Sequence, residues 1–281
     1  MVIVRDVAGL REALKAARKA GKSIGFVPTM GALHAAHLSL VKIAHERSDY
    51  TAVSIFVNPT QFGPTEDFER YPRTPEQDCE MLKAEGANLV FMPSRAEMYA
   101  EGETVTVDPG VKATIFEGKS RPTHFRGVLT VVAKLFNQVQ PDLAVFGEKD
   151  AQQLYLVTHM VRTLQMPIEI VAGTTLREAD GLAMSSRNRY LKQAERAQAT
   201  VLYQALTAGV TAFRSGARSL EAVRDAMRDV LQKVPEFAAD YFTVVDAETF
   251  EETDPVSENV RLIIAGKLGS VRLIDNLRSD V

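Results

Sequence analysis

The segment SIGFVPTMGALHAAHL, residues 23–38, sets the pattern for most of the chain. Residues 23–27, which read Ser-Ile-Gly-Phe-Val, predict a short buried strand that ends at Pro28. Small residues follow, and the pattern then predicts a helix over 38–45. The segment therefore predicts a strand that leads through a glycine-containing loop into a helix.

The same alternation of strand and helix extends on both sides of this segment. Apolar residues at helical spacing predict a first helix over 7–20, stopped by Gly21. The later predicted strands are 51–57, 88–92, 143–146 and 168–171, and the later predicted helices are 74–84, 128–139 and 151–164. Strands separated by helices indicate an α/β fold with a parallel sheet that is covered on both faces.

Beyond about residue 176 the pattern changes. Two helices are predicted over 193–213 and 220–231, and strand-like runs follow at 241–245, 260–264 and 271–274. This order indicates a smaller α+β domain. We therefore expect two domains, an α/β domain over residues 1–175 and a smaller one over residues 176–281.

Composition limits the classes of partner. The 281 residues are 46% hydrophobic, and 33 Lys and Arg balance 36 Asp and Glu to a formal net charge of −3. Such a charge gives no broad field for a nucleic-acid backbone or an anionic membrane, so we expect small partners, with no nucleic acid and no membrane. Cys79 is the only cysteine, and charges at Arg5, Asp6 and Arg11 do not match a signal peptide. We expect a cytoplasmic protein.

In open parallel sheets, ligands bind beyond the carboxyl ends of the strands. The loops at those ends are rich in polar residues and glycine; they are residues 28–31, 58–63 and 147–150.

His34 and His37 lie where the first of these loops enters its helix. A helix N-terminus favours phosphate, and two imidazoles three residues apart can face one anion and donate hydrogen bonds to it. The same pair would also serve as loop and helix-cap residues. A zinc site would need a third protein ligand, which no neighbouring motif supplies.

Two later segments carry groups that suit phosphate. Lys149 follows the strand 143–146 and can bind triphosphate oxygens, while Asp150 can accept hydrogen bonds from ribose hydroxyls or cap the next helix. Ser185 and Ser186 can donate to phosphate oxygens, and Arg187 can neutralise a leaving pyrophosphate. The alternative interpretation of that segment is a serine helix cap beside a solvated arginine. The chain has neither a P-loop motif nor a dinucleotide fingerprint nor a serine nucleophile elbow.

Six motifs taken together resemble the pantothenate synthetase family. They are PTMGALHAAH (28–37), NPTQF (58–62), YPRT (71–74), RPTHFRGV (121–128), FGEKD (146–150) and READGLAMSSRN (177–188). The later RLIDN (272–276) continues the resemblance, which spans nearly the whole chain. It implies a nucleotidyltransferase-type Rossmann fold and the ATP- and Mg²⁺-dependent condensation of pantoate with β-alanine, by an amide-forming ligase that releases AMP and pyrophosphate. It also implies a Rossmann-like domain over residues 1–175 that binds ATP and pantoate, a C-terminal lid domain over residues 176–281, and a homodimer.

The resemblance assigns roles residue by residue. The catalytic set would be His34, His37 as proton donor, Lys149, Ser185, Ser186 and Arg187. The ATP site would also include Pro28, Thr29, Met30, Gly147, Asp150, Leu176 and Met184. Pantoate and β-alanine would contact Gln61, Gln153, Asn58 and Tyr71, while Mg²⁺ would be held mainly by ATP oxygens and water, with Asp78 as an acidic helper acting through water.

The chain departs from the family pattern between the two histidines. The family usually has glycine at the position of Ala36 and often an acidic residue at Ala35. If the position requires a positive φ, alanine strains it; if it is helical, alanine is harmless. Two other functions stay open from the residues: another nucleotidyltransferase of the same superfamily, and a noncatalytic nucleotide-binding module.

Overall fold

The computed structural model describes residues 1–64, 66–102 and 105–280. By their contacts the described residues form two compact units. Unit 1 comprises Met1–Glu148 and Leu156–Thr174, and unit 2 comprises Lys149–Tyr155 and Thr175–Val281. The short segment Lys149–Tyr155 thus groups with the C-terminal part of the chain.

Unit 1 is built on a six-stranded parallel sheet of order β1-β4-β3-β2-β5-β6. Its strands are β1 (Val2–Val4), β2 (Ile24–Thr29), β3 (Tyr50–Ile55), β4 (Leu89–Phe91), β5 (Leu143–Gly147) and β6 (Glu169–Gly173). The helices are α1 (Val7–Lys19), α2 (Ala35–Arg47), α3 (Pro75–Ala84), α4 (Arg95–Met98), α5 (Glu117–Ser120) and α6 (His124–Val139), and α7 (Ala151–Thr163) begins in unit 2. The predicted parallel α/β fold is confirmed.

The central strands are buried because helices supply apolar side chains to the sheet. Val27, Val53 and Val145 pack in one cluster with Val41 and Ala44 of α2. This packing fixes the end of β2 and the beginning of α2, where the first candidate site lies.

The described residues of unit 2 form an antiparallel sheet of order β7-β8-β9 and the α-helices that pack on it. Its elements are α8 (Gln193–Gln198), α9 (Val201–Arg214), α10 (Leu220–Leu231), β7 (Phe237–Asp246), β8 (Val260–Leu268) and β9 (Val271–Arg278). Leu206 of α9 and Met227 of α10 are fully buried in a cluster with Leu262 and Ile264 of β8. The helices therefore cover the sheet and form a separate core, as the α+β prediction requires.

Several elements differ from their sequence predictions; α6, for example, begins at His124 rather than at residue 128, and α4 and α5 were not predicted. The single helix predicted over 193–213 is wrong, because it is interrupted at Ala199 and Thr200, where the Thr200 hydroxyl donates to the carbonyl of Ala197 (3.1 Å). β1 was not predicted, since three residues are too few to show a period. β7 begins four residues before the predicted strand, since polar residues and an irregular register near Ala239 hide its start. Helix α2 begins at Ala35 rather than residue 38.

No helix among the described residues is both long and apolar enough to cross a membrane.

Candidate active site

The loop between β2 and α2 has a left-handed turn. Gly31 has φ +79°, and a Cβ there would lie 2.9 Å from Oδ2 of Asp78 and 3.0 Å from Cγ2 of Ile55. Ala32 also has a positive φ of 50°, which costs an alanine about 1 kcal/mol. The backbone conformation therefore requires glycine at position 31, whereas at position 32 an alanine adopts a strained conformation.

Asp78 of α3 holds this turn. Its two carboxylate oxygens accept the main-chain N–H groups of Ala32 and Leu33, both at 2.9 Å, and Oδ1 also accepts the hydroxyl of Thr74 (3.1 Å). Asp78 is 1% exposed. These contacts assign Asp78 a task that the sequence did not suggest, the support of the loop; its role beside Mg²⁺ stays a prediction.

His34 and His37 meet at the N-terminus of α2, where His34 is the cap residue. Their ring centroids are 4.1 Å apart, and the main-chain N–H of His34 donates to Nδ1 of His37 (3.3 Å). Because Nδ1 accepts, a neutral His37 ring carries its proton on Nε2. The arrangement places an imidazole N–H donor in the first turn of a helix, whose dipole also favours an anion.

Ala35 and Ala36 are the first two residues of α2. Neither has a positive φ. Alanine is therefore unstrained at both positions, and the question raised by the family's glycine is settled in favour of a helical backbone.

The second predicted loop joins the first through Gln61. Nε2 of Gln61 lies 3.2 Å from Sδ of Met30, and Oε1 accepts a hydrogen bond from Nδ2 of Asn58 (3.1 Å). Oδ1 of Asn58 accepts from the hydroxyls of Thr60 (2.9 Å) and Tyr99 (2.8 Å). Asn58 and Gln61 are buried, at 1% and 8% exposure. Unit 1 thus brings Met30, Asn58 and Gln61 into one constellation.

The N-terminal turn of α6 packs against this second loop. Nδ2 of Asn58 donates to the carbonyl of Gly127 (3.1 Å). A Cβ on Gly127 would lie 2.3 Å from the carbonyl oxygen of Thr60, so only glycine permits this approach. The glycine of the RPTHFRGV motif is thereby explained.

His124 and Arg121, from the same motif, hold the main chain of Gln61. Nδ1 of His124 is 2.9 Å from the Gln61 carbonyl oxygen, which also accepts from Nη2 of Arg121 (3.3 Å). Nη1 of Arg121 lies 3.1 Å from Nε2 of His124, and because an arginine only donates, Nε2 accepts and Nδ1 carries the proton. Burial, followed by the Arg121 charge, lowers the pKa of His124 from 6.5 to about 4.

Two carboxylates complete this cluster. Arg121 donates to both oxygens of Glu66, at 2.8 and 2.6 Å, and pairs with Glu117 at 3.4 Å. Burial tends to raise the pKa of Glu66, but the hydrogen bonds and charge of Arg121 outweigh it and leave that pKa lowered. Glu66 is therefore an ionised partner that orients the guanidinium.

Tyr71 and Gly147 lie elsewhere in unit 1. Tyr71 is buried and its ring meets that of Phe62 edge-on at 5.8 Å. Gly147 ends β5 opposite Gly173 of β6. Pro28 and Thr29 end β2, and the Thr29 hydroxyl donates to the carbonyl of Ser54 (2.7 Å).

In unit 2, Lys149 and Asp150 lie just before α7, with Nζ of Lys149 3.9 Å from Oδ1 of Asp150. The carbonyl of Lys149 accepts a hydrogen bond from Nδ2 of Asn276 in β9 (2.9 Å). Gln153 is half-buried in the first turn of α7. Tyr155, one turn after Ala151, stacks on Phe250 with ring centroids 5.2 Å apart.

Residues 176–184 of unit 2 fold back on themselves. The N–H of Met184 donates to the carbonyl of Leu176 (2.9 Å), and the N–H of Glu178 to that of Leu182 (2.8 Å). Leu176 and Met184, both predicted at the nucleotide, are therefore neighbours. Arg177 within this turn forms a bidentate pair with Asp275 (2.6 and 3.0 Å).

Ser185, Ser186 and Arg187 follow directly. Oγ of Ser185 accepts the main-chain N–H of Arg187 (3.3 Å), which caps the 3₁₀ helix Ser186–Tyr190. The cap interpretation thus holds for Ser185, and it does not exclude a phosphate role for the three side chains.

Several contacts were missed by sequence reasoning. His124, Arg121, Asp275 and Asn276 all stand in motifs that the sequence analysis recognised, RPTHFRGV and RLIDN, without a role for their polar residues. Tyr99 and Glu66 lie outside every motif of the sequence analysis, so no sequence pattern pointed to their contacts. Across the described residues, no group of three or more His, Cys, Asp and Glu side chains is arranged to hold a metal ion.

Comparison with known proteins agrees with the motifs. Residues 2–278 match the family model described as pantoate–β-alanine ligase. A pantothenate synthetase from Herpetosiphon aurantiacus is 50% identical, with 95% of this chain and 97% of the relative covered. The crystal structure of a pantothenate synthetase from Thermus thermophilus aligns with TM-score 0.94 at 47% identity, covering 99% of each chain.

A third relative is described with ligands. The crystal structure of pantoate–β-alanine ligase from Francisella tularensis, complexed with β,γ-ATP and β-alanine, aligns with TM-score 0.81 at 33% identity, over 100% of this chain and 98% of that one.

Proposed function

Since the chain belongs to the pantoate–β-alanine ligase family, an ATP-using ligase family of pantothenate biosynthesis, we propose how its own residues carry the reaction. The observation that carries this proposal is the histidine pair at the N-terminus of α2, with Nε2 of His37 as a proton-bearing donor. The likeness to a relative complexed with an ATP analogue and β-alanine supports it.

Two steps account for the chemistry. A carboxylate oxygen of pantoate attacks the α-phosphorus of ATP, the bond to the bridging oxygen of pyrophosphate breaks, and an acyl-adenylate forms. The amine of β-alanine then attacks the acyl carbon, loses a proton and expels AMP. The first step is needed because a carboxylate has no good leaving group, whereas AMP is one. Holding the amine beside the acyl carbon supplies much of the second step.

In unit 1, His34 and His37 would donate to phosphate oxygens as charge builds during adenylyl transfer. Gln61 would bind pantoate and border the β-alanine site, with Asn58 and Tyr71 beside it. Pro28, Thr29, Met30 and Gly147 would border the nucleotide. The buried network around Gln61 supports this proposal, because a binding amide must be held in one orientation.

In unit 2, Lys149 would bind phosphate and Asp150 the ribose. Gln153 would hold pantoate, and Leu176 with Met184 would border the adenine. Ser185, Ser186 and Arg187 would take the charge of the leaving pyrophosphate.

Magnesium is proposed to be held by ATP oxygens and water. Mg²⁺ usually keeps several waters and binds through substrate phosphates, which suits a chain whose described residues form no acidic cage. Asp78 does not fit a direct ligand, because its two oxygens already accept three hydrogen bonds. When bound, the ion would neutralise phosphate charge.

We further propose that the enzyme is a cytoplasmic homodimer. Two-fold dimers are the commonest soluble oligomers, and the family resemblance supports the same state. Light scattering coupled to gel filtration would give twice the mass of one chain; the mass of one chain would refute the dimer.

The experiment that tests the function supplies the purified protein with ATP, Mg²⁺, pantoate and β-alanine. We expect equal amounts of pantothenate and AMP. With β-alanine left out, we expect pantoate-dependent exchange of labelled pyrophosphate into ATP. AMP formation that does not depend on pantoate would refute the assignment, and another nucleotidyltransferase activity would then be the alternative.

A further inference from the structure

The RLIDN motif of β9 places polar side chains in the interior of unit 2. Asp275 and Asn276 are each 4% exposed, and Arg261 of the neighbouring strand is 7% exposed. Burying charged and amide groups is costly, and apolar residues of similar size often replace a buried ion pair with no loss of stability. Stability alone therefore does not account for these residues.

Both the oxygen and the nitrogen of the Asn276 side-chain amide form hydrogen bonds. Oδ1 accepts a hydrogen bond from Nη1 of Arg261, and Nδ2 donates to the main-chain carbonyl of Lys149 (2.9 Å). Its orientation is fixed, because arginine has donors only and must face the oxygen. The amide therefore connects a buried arginine to the backbone of the lysine that the proposed mechanism uses.

The preceding residue, Asp275, holds the turn that leads to the Ser185–Arg187 segment. The two carboxylate oxygens of Asp275 accept hydrogen bonds from Nη1 and Nη2 of Arg177. Nη2 of Arg177 also donates to the carbonyl of Asn276 (3.0 Å). Nη1 of Arg177 donates in addition to the carbonyl of Gly181 (3.1 Å), within the turn that leads to Met184 and Ser185. The guanidinium lies 4.2 Å from the ring centroid of Tyr203, which limits its movement.

Burial raises the pKa of Asp275, and the hydrogen bonds and charge of Arg177 oppose that shift. The carboxylate and the guanidinium thus depend on each other, and both depend on the register of β9.

Two consecutive residues of one strand therefore fix two separate segments that carry phosphate-binding groups. We infer that Asn276 is a positioning residue for Lys149, an inference that rests on the proposed function. Through Asn276 and the Asp275–Arg177 pair, β9 sets the spacing between Lys149 and the Ser185–Arg187 segment. Asn276 touches no substrate in this account and acts through the backbone of Lys149.

The inference separates the two half-reactions. Triphosphate is present only while the acyl-adenylate forms, so a displaced Lys149 slows that step. Amide formation from ready-made pantoyl adenylate and β-alanine involves no triphosphate and keeps its rate. A purely structural role would lower both rates together.

The test uses two substitutions in the full-length protein. Asn276→Asp keeps an acceptor for Arg261 but lacks the NH₂ group that donates to the carbonyl of Lys149. Asn276→Ser is smaller, introduces no charge, and is too short to reach Lys149. The matched control is Asn137→Ala, which removes an amide-to-carbonyl hydrogen bond of 2.8 Å to Ala133 in α6.

We expect both Asn276 variants to slow pantoate-dependent pyrophosphate exchange by about 10²-fold, the usual effect of a small misplacement of a reacting group. Both should form amide from supplied pantoyl adenylate at the wild-type rate, and Asn137→Ala should resemble wild type in both assays. Unchanged exchange, or equal losses in the two half-reactions, would overturn the inference. Failure of both variants to fold, by circular dichroism, would make Asn276 a core residue only and overturn it as well. An inactive wild-type protein would instead refute the proposed function.

Discussion

At the scale of single residues, the hydrogen bond from the His34 main chain to Nδ1 of His37 has the clearest chemical consequence. It selects the tautomer with a proton on Nε2, so His37 can donate without being charged. The ring of His34 is tilted by 46° against the ring of His37, with the ring centroids 4.1 Å apart. In the proposed mechanism this Nε2–H group would donate to a phosphate oxygen.

We predict that His34→Ala and His37→Ala each lower the rate of adenylate formation by about 10²- to 10³-fold, the usual cost of a donor to a transition-state oxyanion. The measurement is pantoate-dependent pyrophosphate exchange. His45→Ala, an exposed histidine on the same helix, is the matched control and should keep wild-type exchange. A histidine whose loss leaves exchange unchanged has no part in the mechanism.

Ala36 gives a second prediction at this scale. Because it lies in the first turn of α2, restoring the family's glycine should lower the free energy of unfolding by about 0.5 kcal/mol and should not raise kcat. Urea denaturation and steady-state assays of Ala36→Gly check this. A several-fold gain in kcat would show that alanine strains the site.

At the scale of secondary-structure elements, two loops of unit 1 that carry proposed site residues are each held by a helix from elsewhere in the chain. Asp78 of α3 binds the main chain of Ala32 and Leu33, and His124 of α6 binds that of Gln61. The precision of the site therefore depends on residues outside the loops.

Replacement of Asp78 by Asn should be harmful despite the similar shape. One acceptor is lost and an NH₂ group faces a buried main-chain N–H, so we expect a loss of about 1–3 kcal/mol in the free energy of unfolding together with a lower kcat. Glu76→Gln, an exposed acid-to-amide change in the same helical turn, should cost less than about 1 kcal/mol. Equal stability of the two variants in urea would contradict the role given to Asp78.

His124 predicts a dependence of stability on pH. Its pKa is about 4 in the folded protein and 6.5 by its ordinary value. As the pH falls from about 6.5 to 4, His124 binds a proton in the unfolded chain but stays neutral in the folded chain. This one residue should therefore reduce the free energy of unfolding by about 3 kcal/mol over that window, and its contribution is complete above pH 6.5.

His124→Asn tests this directly. The asparagine amide can still donate to the Gln61 carbonyl but does not titrate, so the variant should lose less stability than wild type between pH 6.5 and 4. His159→Asn, at an exposed position of α7, controls for the loss of a histidine. Parallel curves for wild type and His124→Asn would contradict the buried neutral imidazole.

Sequence reasoning predicted the sheet because buried strands and amphipathic helices have regular periods. It could not find β1 or the break at Thr200, which depend on pairing with a distant strand and on one side-chain hydrogen bond. The strand-end loops were expected to carry the site, and the structure brings Met30 to Gln61 and Leu176 to Met184. The supports of those loops escaped prediction, because no local pattern shows that Asp78, His124 or Asn276 is bonded to a main chain far away in sequence.

At the scale of the whole molecule, the two units have separate hydrophobic cores and each contributes a set of candidate groups. The proposed division gives adenylyl transfer a histidine pair from unit 1 and a lysine, two serines and an arginine from unit 2. Hydrogen-bond donors of this kind, of which the lysine and the arginine are charged, suit a reaction in which phosphate charge moves from ATP to pyrophosphate.

The acyl-adenylate is the central claim, and isotope transfer tests it most directly. Pantoate labelled with ¹⁸O in both carboxylate oxygens is incubated with ATP, Mg²⁺, β-alanine and the protein, and the nucleotide products are analysed by mass spectrometry. The account predicts AMP that carries one ¹⁸O, because the attacking carboxylate oxygen leaves with the phosphorus. Unlabelled AMP, or ADP formed with ¹⁸O-labelled phosphate, would contradict it.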